Sequence, residues 1–584
     1  MYIENIHGPA DVKKLDAAAR KELAQEMRDA LLKRASIHGG HFGPVFGMVE
    51  AIIALHTVFD SPKDKIVFDV SHQSYAHKML TGRKDAYLYE EHYNDVSGYT
   101  NPDESEHDFF NIGHTSTSVS LASGLARARD LAGGKENIIA VIGDGSMSGG
   151  EALEGLDFVG EQGTNLIIVF NDNDMSIAEV HGGMYQGFRK LRETEGKAED
   201  NLFKAMGLDY RFVKDSNDAE ALIQAFSEVK DIDHPVVVHI VTQKGKGYAP
   251  AEQNKEDWHW HLPFDIETGE AKMDFTDPYA EMTATHLMEK MKEDPTLAVI
   301  TSATPPVLGF TKERRETVGK QFIDVGIAEE HAVALASGMA KNGARPVYGV
   351  FSTFLQRAYD QISQDVCINN NPVVFVVGWA SMNGMNDVTH LGIFDIPMLS
   401  NIPNLVYLSP TSSEEYLAML DWAIEQREHL VAIRMPNPAV GSSSRKVRKS
   451  YAELNRYEIT HQGAKVAILG LGNFYGLAEE AAAELKEKTG IDATLVNPIF
   501  ITGQDEELLN ELKREHSVVV TLEDGVLDGG FGEKIARFYG TSDMRVLNFG
   551  LKKDFYDRYD PAVLMEANHL TAKQIAEDVC KVLG

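Results

Sequence analysis

Two polar residues stand directly after two buried strands in the first third of the chain. In AVIGDGSMSGG, Asp144 follows a run of apolar residues, and in NLIIVFNDN, Asn173 follows the next such run. Because ligands bind at the carboxyl ends of the strands in doubly wound sheets, we expect these two side chains to converge. A carboxylate and an amide oxygen suit Mg²⁺, which fills its other positions with water and phosphate oxygens. The intervening glycines and a helix beginning near Glu151 would let backbone N–H groups approach a diphosphate.

The elements that must position these residues follow one rhythm along the whole chain. A short Val/Ile-rich run, a Gly or Asp turn and a helical pattern recur, which is typical of βαβ units in mostly parallel sheets. The predicted strands are NIIAVIG, NLIIVFN, PVVVHIV, TLAVIT, RPVYGVF, NPVVFVVG, LVYLSP, AKVAILG, DATLVNP, SVVVTLE and RVLNFG. Polar stretches at 266–285 and 441–450 indicate connections. We therefore predict three α/β domains, over residues 1–275, 286–445 and 456–584.

Charge and composition exclude several classes of partner. The chain of 584 residues carries 88 acidic and 56 basic side chains, a formal charge of −32. Such a field repels nucleic-acid backbones and anionic lipid, so we expect neither nucleic acid nor membrane as a partner. Two cysteines in so long a chain indicate a reducing compartment. The first residues show no secretory pattern and no apolar run approaches a membrane span, so the expected location is cytoplasmic.

The spacing of GDG and NDN resembles the motif by which thiamine-diphosphate enzymes hold Mg²⁺ and the cofactor diphosphate. The surrounding blocks resemble the 1-deoxy-D-xylulose-5-phosphate (DXP) synthase branch of the transketolase-like enzymes, in that family's order. These blocks are GGHFGPVFGMVEAIIALHTVF, DVSHQSYAHKMLTGR, GHTSTSVS, TQKGKGYAPAE, DVGIAEEHAV, STFLQRAYDQ, THLGIFD and LEDGVLDGGFG. The resemblance implies a transketolase-like thiamine-diphosphate-binding fold of three α/β domains.

The resemblance also implies roles for individual residues. Asp144, Asn173 and the Met175 carbonyl become the protein ligands of Mg²⁺. Further residues would surround thiamine diphosphate: His72, Gly113, His114, Thr115, Gly145, Ser146, Asn173, Tyr248 and Glu329. Thiamine chemistry needs a carboxylic acid against the aminopyrimidine ring, and the motif GIAEEH selects Glu329 for it rather than the adjacent Glu330.

Three of the 21 histidines fall on positions that line the reaction centre in the resembled family. These are His41, His259 and His390, and imidazoles there can pass protons to and from substrate oxygens. A lone histidine is more often a hydrogen-bonded structural residue, and we expect packing roles for His331 and His77. The resemblance therefore implies four catalytic residues, Glu329 and these three histidines.

The sequence departs from the resembled family in the acceptor pocket. There the acceptor is glyceraldehyde 3-phosphate, whose phosphate is bound by arginines through bidentate, charge-assisted hydrogen bonds. Here Trp379 and Asn437 stand where the two arginines are expected. Asn386 replaces the expected Asp, Phe351 the expected Tyr and Pro44 the expected Ser. Arg357 is kept. Because a decaying enzyme would lose its cofactor ligands as readily, and those are intact, the pattern favours a changed acceptor.

The resulting hypothesis is a homodimeric, Mg²⁺- and thiamine-diphosphate-dependent transferase of the DXP synthase type. It would decarboxylate a 2-oxo acid, pyruvate above all, and join the two-carbon unit to an aldehyde other than glyceraldehyde 3-phosphate. One alternative is a genuine DXP synthase that binds phosphate through other groups, such as Arg357 or Arg434. A transketolase-like ketol transferase is a second alternative, and a non-catalytic cofactor-binding scaffold is a third.

Overall fold

The computed structural model describes residues 1–273, 277–437 and 441–584. Residues 1–273 together with 326–328 form one compact unit, and the described residues of 277–325 and 329–584 form a second. The second unit contains two separate sheets. The predicted boundaries of three domains are not tested by this division and stay a prediction.

The first unit is built on a parallel sheet that is buried on both faces. Its strands are β1 (Gly40–His41), β2 (Lys65–Phe68), β3 (Ile138–Gly143), β4 (Leu166–Asp172), β5 (Asp209–Val213), β6 (Pro235–Val241) and β7 (Trp260–His261). Five of them pair in the order β2-β3-β4-β6-β5, all parallel, and β1 and β7 form a separate antiparallel pair. Burial on both faces explains why β3, β4 and β6 are continuous apolar runs.

Helices of two sizes surround this sheet. Those of ten residues or more are Ala17–His38, Val49–Val58, Ser118–Leu131, Gly150–Gln162, Met184–Glu193 and Ala219–Val229. The shorter ones are Pro9–Val12, Gly43–Gly47, Tyr75–Lys78, Asp85–Leu88, Leu202–Ala205 and Ala249–Gln253. Aspartate caps begin two of the long helices: Asp16 accepts from the Ala19 N–H and Asp218 from the Glu220 N–H.

The second unit contains a six-stranded and a five-stranded sheet. The first comprises β8 (Leu297–Thr301), β9 (Phe322–Asp324), β10 (Arg345–Phe351), β11 (Val374–Gly378), β12 (Leu405–Leu408) and β13 (Leu430–Met435), in the all-parallel order β12-β13-β11-β10-β8-β9. The second comprises β14 (Glu458–His461), β15 (Lys465–Gly470), β16 (Thr494–Asn497), β17 (His516–Val526) and β18 (Arg545–Leu551), in the order β14-β16-β15-β17-β18. Only β14 is antiparallel in that sheet.

The helices of the second unit cover both of its sheets. They are Pro278–Glu293, Lys312–Val318, Glu329–Lys341, Ser352–Leu355, Tyr359–Gln361, Asp395–Ser400, Ser413–Glu425, Tyr475–Thr489, Glu506–Leu512, Phe531–Tyr539, Pro561–Ala567 and Ala572–Leu583. The first of them starts inside the stretch 266–285 that was predicted to be a connection, so that prediction was wrong at its C-terminal end. Asp277 caps this helix by accepting from the N–H groups of Tyr279 and Ala280.

All eleven strands predicted from apolar runs are present, and the predicted fold class of α/β units with mostly parallel sheets is confirmed. Among the described residues, no helix combines the length and apolar character that crossing a bilayer requires.

Candidate active site

The predicted metal ligands of the first unit lie at the carboxyl ends of two neighbouring strands. β3 and β4 pair so that Gly143 faces Asn171, and the Asp144 N–H donates to the Asn171 carbonyl at 3.0 Å. The Met175 N–H donates to Oδ2 of Asp144 at 3.1 Å. Oδ1 of Asn173 is buried and accepts no hydrogen bond from any described residue. The structure therefore brings Asp144 and Met175 into contact and leaves a buried amide oxygen beside them in sequence.

The electrostatics of Asp144 fit a divalent cation. Its side chain is 1% exposed, and burial raises its pKa to about 8, with the nearby Asp172 carboxylate raising it further. A bound cation reverses such a shift, because it stabilises the ionised carboxyl group directly. Oxygen ligands from a carboxylate and an amide are those that Mg²⁺ prefers. The residues present fit the implied ion.

The predicted diphosphate-binding residues 113–115 belong to a loop, residues 113–116, that is held by a residue that sequence reasoning missed. The Asp69 carboxylate accepts from the N–H groups of Ser116, at 2.8 Å, and Ser118, at 2.9 Å. The Ser116 hydroxyl donates to the Ser146 carbonyl at 2.8 Å. A Cβ on Gly149 would lie 2.1 Å from that hydroxyl oxygen, so only glycine fits at this contact. Gly113, His114 and Thr115 thus belong to a loop fixed against the turn that carries Gly145 and Ser146.

Three predicted site histidines form a cluster in the first unit. His41 lies on β1, His72 follows β2 and His259 precedes β7. Their ring centroids are 4.5 Å apart for His41 and His72, 5.3 Å for His72 and His259, and 5.7 Å for His41 and His259. Burial lowers the pKa of His41 to about 4, with Lys244 lowering it further, and the pKa of His259 also falls well below its ordinary value. Both imidazoles are therefore neutral at physiological pH.

Lys244 lies close to this cluster and was not predicted. It is 1% exposed, and its Nζ donates to the Ser176 carbonyl at 2.7 Å. Burial lowers its pKa to about 7, and the Asp144 carboxyl group acts in the opposite direction. A buried lysine beside neutral histidines can hold or release a proton near neutral pH. Its only signal in the sequence is its position three residues after the end of the buried strand β6.

Tyr248, which was predicted to contact the cofactor, is packed in the aromatic core of the first unit. It is 7% exposed, its ring lies 5.0 Å from that of Trp258 and 5.5 Å from that of Phe42, and its hydroxyl donates to the Ile266 carbonyl at 2.9 Å. Its contact with a cofactor stays a prediction.

Glu329 begins a helix of the second unit and is buried. It is 3% exposed, and its Oε2 atom accepts no hydrogen bond from any described residue, while Nη1 of Arg357 lies 3.8 Å away. Burial raises the pKa of Glu329 to about 7, although Arg357 lowers it. The adjacent Glu330 is partly exposed. A buried carboxyl group that titrates near neutral pH is suited to exchanging a proton with a bound ring nitrogen.

The predicted acceptor pocket contains a row of rings in the second unit. The ring of Phe351 lies 5.5 Å from that of Trp379 and 5.9 Å from that of Phe354, which lies 5.6 Å from His390, all edge to face. Nδ1 of His390 lies 2.8 Å from the Thr389 hydroxyl. The indole N–H of Trp379 donates to Oδ2 of Asp277 at 3.0 Å. The structure thus links Trp379, Phe351 and His390 through successive ring contacts, the last of them by way of Phe354.

The backbone of the loop after β11 is tightly fixed. Trp379 has a φ of 53°, a conformation that bulky residues rarely adopt. A Cβ on Gly392 would lie 2.1 Å from the Trp379 carbonyl oxygen, and the Met382 N–H donates to Oδ1 of Asp524 at 2.9 Å. None of these contacts uses the side chain at position 379, so the conformation of the loop is set by other groups.

Two other predicted pocket residues are less closely associated with the rings. Asn386 is exposed, and its Nδ2 donates to the Tyr559 carbonyl at 2.9 Å. Asn437 follows β13 and is partly exposed.

Arg434 had been an alternative phosphate ligand, and the structure removes it from that role. It is 1% exposed, its Nε donates to Asp395 at 2.8 Å and its Nη2 donates to the Asp524 carbonyl at 2.7 Å. An arginine that balances buried carboxylates cannot turn to a substrate without leaving them unpaired. Arg357, with a side chain 15% exposed beside Glu329, is the remaining arginine of the predicted pocket.

Comparison with known proteins defines the class of protein first. Protein-family models match four ranges: "1-deoxy-D-xylulose-5-phosphate synthase" over residues 3–200, "Transketolase, thiamine diphosphate binding domain" over 121–281, "Transketolase, pyrimidine binding domain" over 278–442 and "Transketolase, C-terminal domain" over 455–575. A transketolase from Pichia stipitis is 16% identical with a TM-score of 0.45, covering 96% of this chain and 97% of that one. The three transketolase models match successive ranges of the chain, which is therefore a transketolase-like, thiamine-diphosphate-dependent transferase.

Full-length relatives then give the family. The 1-deoxy-D-xylulose-5-phosphate synthase of Heliobacterium modesticaldum is 37% identical over 98% of this chain and 94% of its own length. That of Clostridium beijerinckii is 37% identical over 99% of both chains. The chain therefore belongs to the 1-deoxy-D-xylulose-5-phosphate synthase family, which confirms the resemblance inferred from its motifs.

Proposed function

We propose that this chain decarboxylates pyruvate and joins the resulting two-carbon unit to an aldehyde other than glyceraldehyde 3-phosphate, with Mg²⁺ and thiamine diphosphate as cofactors. The observation that carries the change of acceptor is the environment of Trp379. Where the resemblance calls for a phosphate-binding arginine, an indole donates its only N–H to Asp277. The other nearby candidate, Arg434, is buried against Asp395.

Thiamine diphosphate, when bound, supplies a nucleophilic carbon and an electron sink for decarboxylation. The ligands of Mg²⁺ would be the Asp144 carboxylate, Oδ1 of Asn173 and the Met175 carbonyl. The diphosphate would lie against the loop of residues 113–116 and the turn of residues 145 and 146, with His72 and Tyr248 contributing to the remaining surface. Asn173 supports this assignment, because its buried amide oxygen accepts no hydrogen bond from the residues that the structure describes.

Four side chains transfer protons in this proposal. Glu329, with a pKa raised to about 7 by burial, holds a proton for the aminopyrimidine ring. His41 and His259 are neutral, so each can accept a proton from a substrate hydroxyl and return it. His390, whose Nδ1 lies beside the Thr389 hydroxyl, would do the same on the acceptor side.

The loss of two arginines is large enough to decide the acceptor. Each hydrogen bond to a charged group contributes roughly 1.5 to 3 kcal/mol, so losing one such bond at each arginine weakens a phosphorylated acceptor by about 10² to 10⁴-fold. An aldehyde without a phosphate loses none of this. The pocket that contains Trp379 and Phe351 therefore favours an uncharged acceptor.

The test is a comparison of acceptors with the purified protein. The protein is incubated with thiamine diphosphate, Mg²⁺ and pyruvate, and CO₂ release is measured with D-glyceraldehyde 3-phosphate and with D-glyceraldehyde. We expect the unphosphorylated aldehyde to give the higher kcat/KM. Efficient turnover of the phosphorylated aldehyde would instead establish a genuine DXP synthase that uses Arg357 or other groups. Turnover of ketose phosphates without CO₂ from pyruvate would indicate transketolase chemistry.

We also propose that the chain acts as a homodimer in the cytoplasm. The resemblance to the DXP synthases supports the dimer, and the two cysteines, neither of them in a disulfide, are compatible with a reducing compartment. Light scattering of the purified protein should give twice the chain mass. A monomer with full activity would contradict the proposed assembly.

A further inference from the structure

The contact between Trp379 and Asp277 joins the acceptor pocket to the start of a helix. Oδ1 of Asp277 accepts from the N–H groups of Tyr279, at 3.0 Å, and Ala280, at 3.3 Å. Oδ2 accepts from the indole N–H of Trp379 at 3.0 Å. Both oxygens are therefore held, and the carboxylate has a fixed position beside the indole ring.

We propose that Asp277 is a specificity-determining residue that excludes phosphorylated acceptors from the pocket. This inference rests on the acceptor change proposed above and adds its physical cause. A carboxylate one hydrogen bond from Trp379 repels a phosphate dianion at the position where the resembled family binds one. The helix N-terminus behind it cannot attract the phosphate, because Asp277 already accepts from its first free N–H groups.

The same arrangement defines the class of acceptor that fits. The rings of Trp379 and Phe351, 5.5 Å apart, offer an apolar surface to the carbon chain of a short aldehyde. Asp277 is partly exposed and can accept a further hydrogen bond, which a hydroxyl group can donate. The pocket thus takes a short, uncharged hydroxyaldehyde with its hydroxyl end towards Asp277.

One consequence separates this proposal from a simple loss of arginine. Restoring arginine by Trp379→Arg places a guanidinium within reach of Asp277, with which it pairs, so the new charge is neutralised. Phosphate binding should then return only when Asp277 is also replaced. Asp277→Asn is the suitable change, because asparagine caps a helix as well as aspartate. Its one amide oxygen keeps the cap, while its NH₂ group no longer accepts from the Trp379 indole N–H. In the double variant that indole is absent.

The experiment measures binding and turnover for four proteins: the original, Asp277→Asn, Trp379→Arg and the double variant. Glycerol 3-phosphate, an unreactive phosphorylated three-carbon probe, is titrated calorimetrically into each protein loaded with thiamine diphosphate and Mg²⁺. We expect Asp277→Asn to tighten its binding on the order of tenfold, from the removed repulsion. Trp379→Arg alone should gain less than threefold or so, and the double variant on the order of 10²-fold, more than the product of the single changes.

Turnover and a matched control complete the test. The ratio of kcat/KM for D-glyceraldehyde 3-phosphate over D-glyceraldehyde should rise in the same order, through a lower KM for the phosphorylated acceptor. Asp218→Asn, which changes a helix-capping aspartate of the first unit, should leave affinity and ratio unchanged.

Two results would overturn the role of Asp277. One is an unchanged affinity of Asp277→Asn for glycerol 3-phosphate, and the other is a gain by Trp379→Arg alone that equals that of the double variant. Failure of the proposed function looks different: the original protein would prefer D-glyceraldehyde 3-phosphate, or would release no CO₂ from pyruvate.

Discussion

Replacing Glu329 by glutamine should stabilise the cofactor-free protein while it removes the proposed catalytic acid. Burial raises the pKa of this carboxyl group from 4.5 to about 7. Each pKa unit corresponds to about 1.4 kcal/mol, so keeping a buried, ionisable glutamate costs the folded state about 3 kcal/mol at pH 7 and above. Glutamine has nearly the same shape and carries no such penalty.

The sign of the pH dependence follows from the raised pKa. Below the pKa that Glu329 has in the unfolded chain, its carboxyl group is protonated in both the folded and the unfolded state, and the penalty is absent. As the pH rises through the range between the two pKa values, the unfolded state ionises first, so the stability of the unsubstituted protein falls. The advantage of Glu329→Gln should therefore grow from about 1 kcal/mol near pH 5.5 to about 3 kcal/mol near pH 8.

Thermal and urea unfolding of the cofactor-free proteins, followed by circular dichroism at several pH values, measure this difference. Glu330→Gln is the matched control, because the adjacent glutamate lies in the same first helical turn and is partly exposed. Subtracting the stability change of Glu330→Gln from that of Glu329→Gln removes the interaction that both acids have with the helix N-terminus. A Glu329→Gln protein that is less stable than the control at pH 8, or an advantage that does not change with pH, would refute the reasoning.

Three further predictions concern other parts of the two units. Asp144→Asn and Asn173→Leu should each weaken Mg²⁺ binding by roughly 10²-fold, measured as a lost rise in Tm on adding Mg²⁺ with thiamine diphosphate; a full rise in either variant would contradict the assigned ligands. Arg434→Met should cost about 3 to 5 kcal/mol by leaving Asp395 unpaired, and it should lower the Tm without altering the preference between acceptors. His41→Ala should lower kcat on the order of 10²-fold. The shape of the pH–activity profile of this variant should match that of the original protein, because the low pKa of His41 keeps its ring neutral over the assayed pH range.

The strands that could be predicted from the sequence are those with continuous apolar runs. β13 was not predicted, because its run LVAIRM is interrupted by Arg434, whose buried charge is balanced by Asp395 and Asp524. β5 was also missed, because in DYRFV the exposed Arg211 and the partly buried Asp209 break the apolar pattern. When the polar residues of a strand pair with residues far away in the sequence, the local pattern of apolar residues does not predict the strand.

Some residues of the candidate site could likewise be predicted from the sequence and others could not. The positions of Asp144 and Asn173 at the ends of two neighbouring strands could be predicted, because each directly follows a continuous apolar run; their role as metal ligands stays a prediction. Asp277 was not, since its partner Trp379 is 102 positions away and a single aspartate before a helix indicates only a cap. Asp69 and Lys244 were missed for a related reason: an isolated charged residue in a sequence usually indicates the surface.

The fixed loop after β11 has a consequence for how new acceptors can arise. The Trp379 carbonyl against Gly392 and the Met382 N–H on Asp524 hold the backbone whatever side chain position 379 carries. Substitutions at 379 therefore leave these two anchoring contacts in place. Directed evolution of carbon–carbon bond formation could begin from a small combinatorial library at positions 277, 351 and 379, leaving the glycine and the aspartate that anchor the loop untouched.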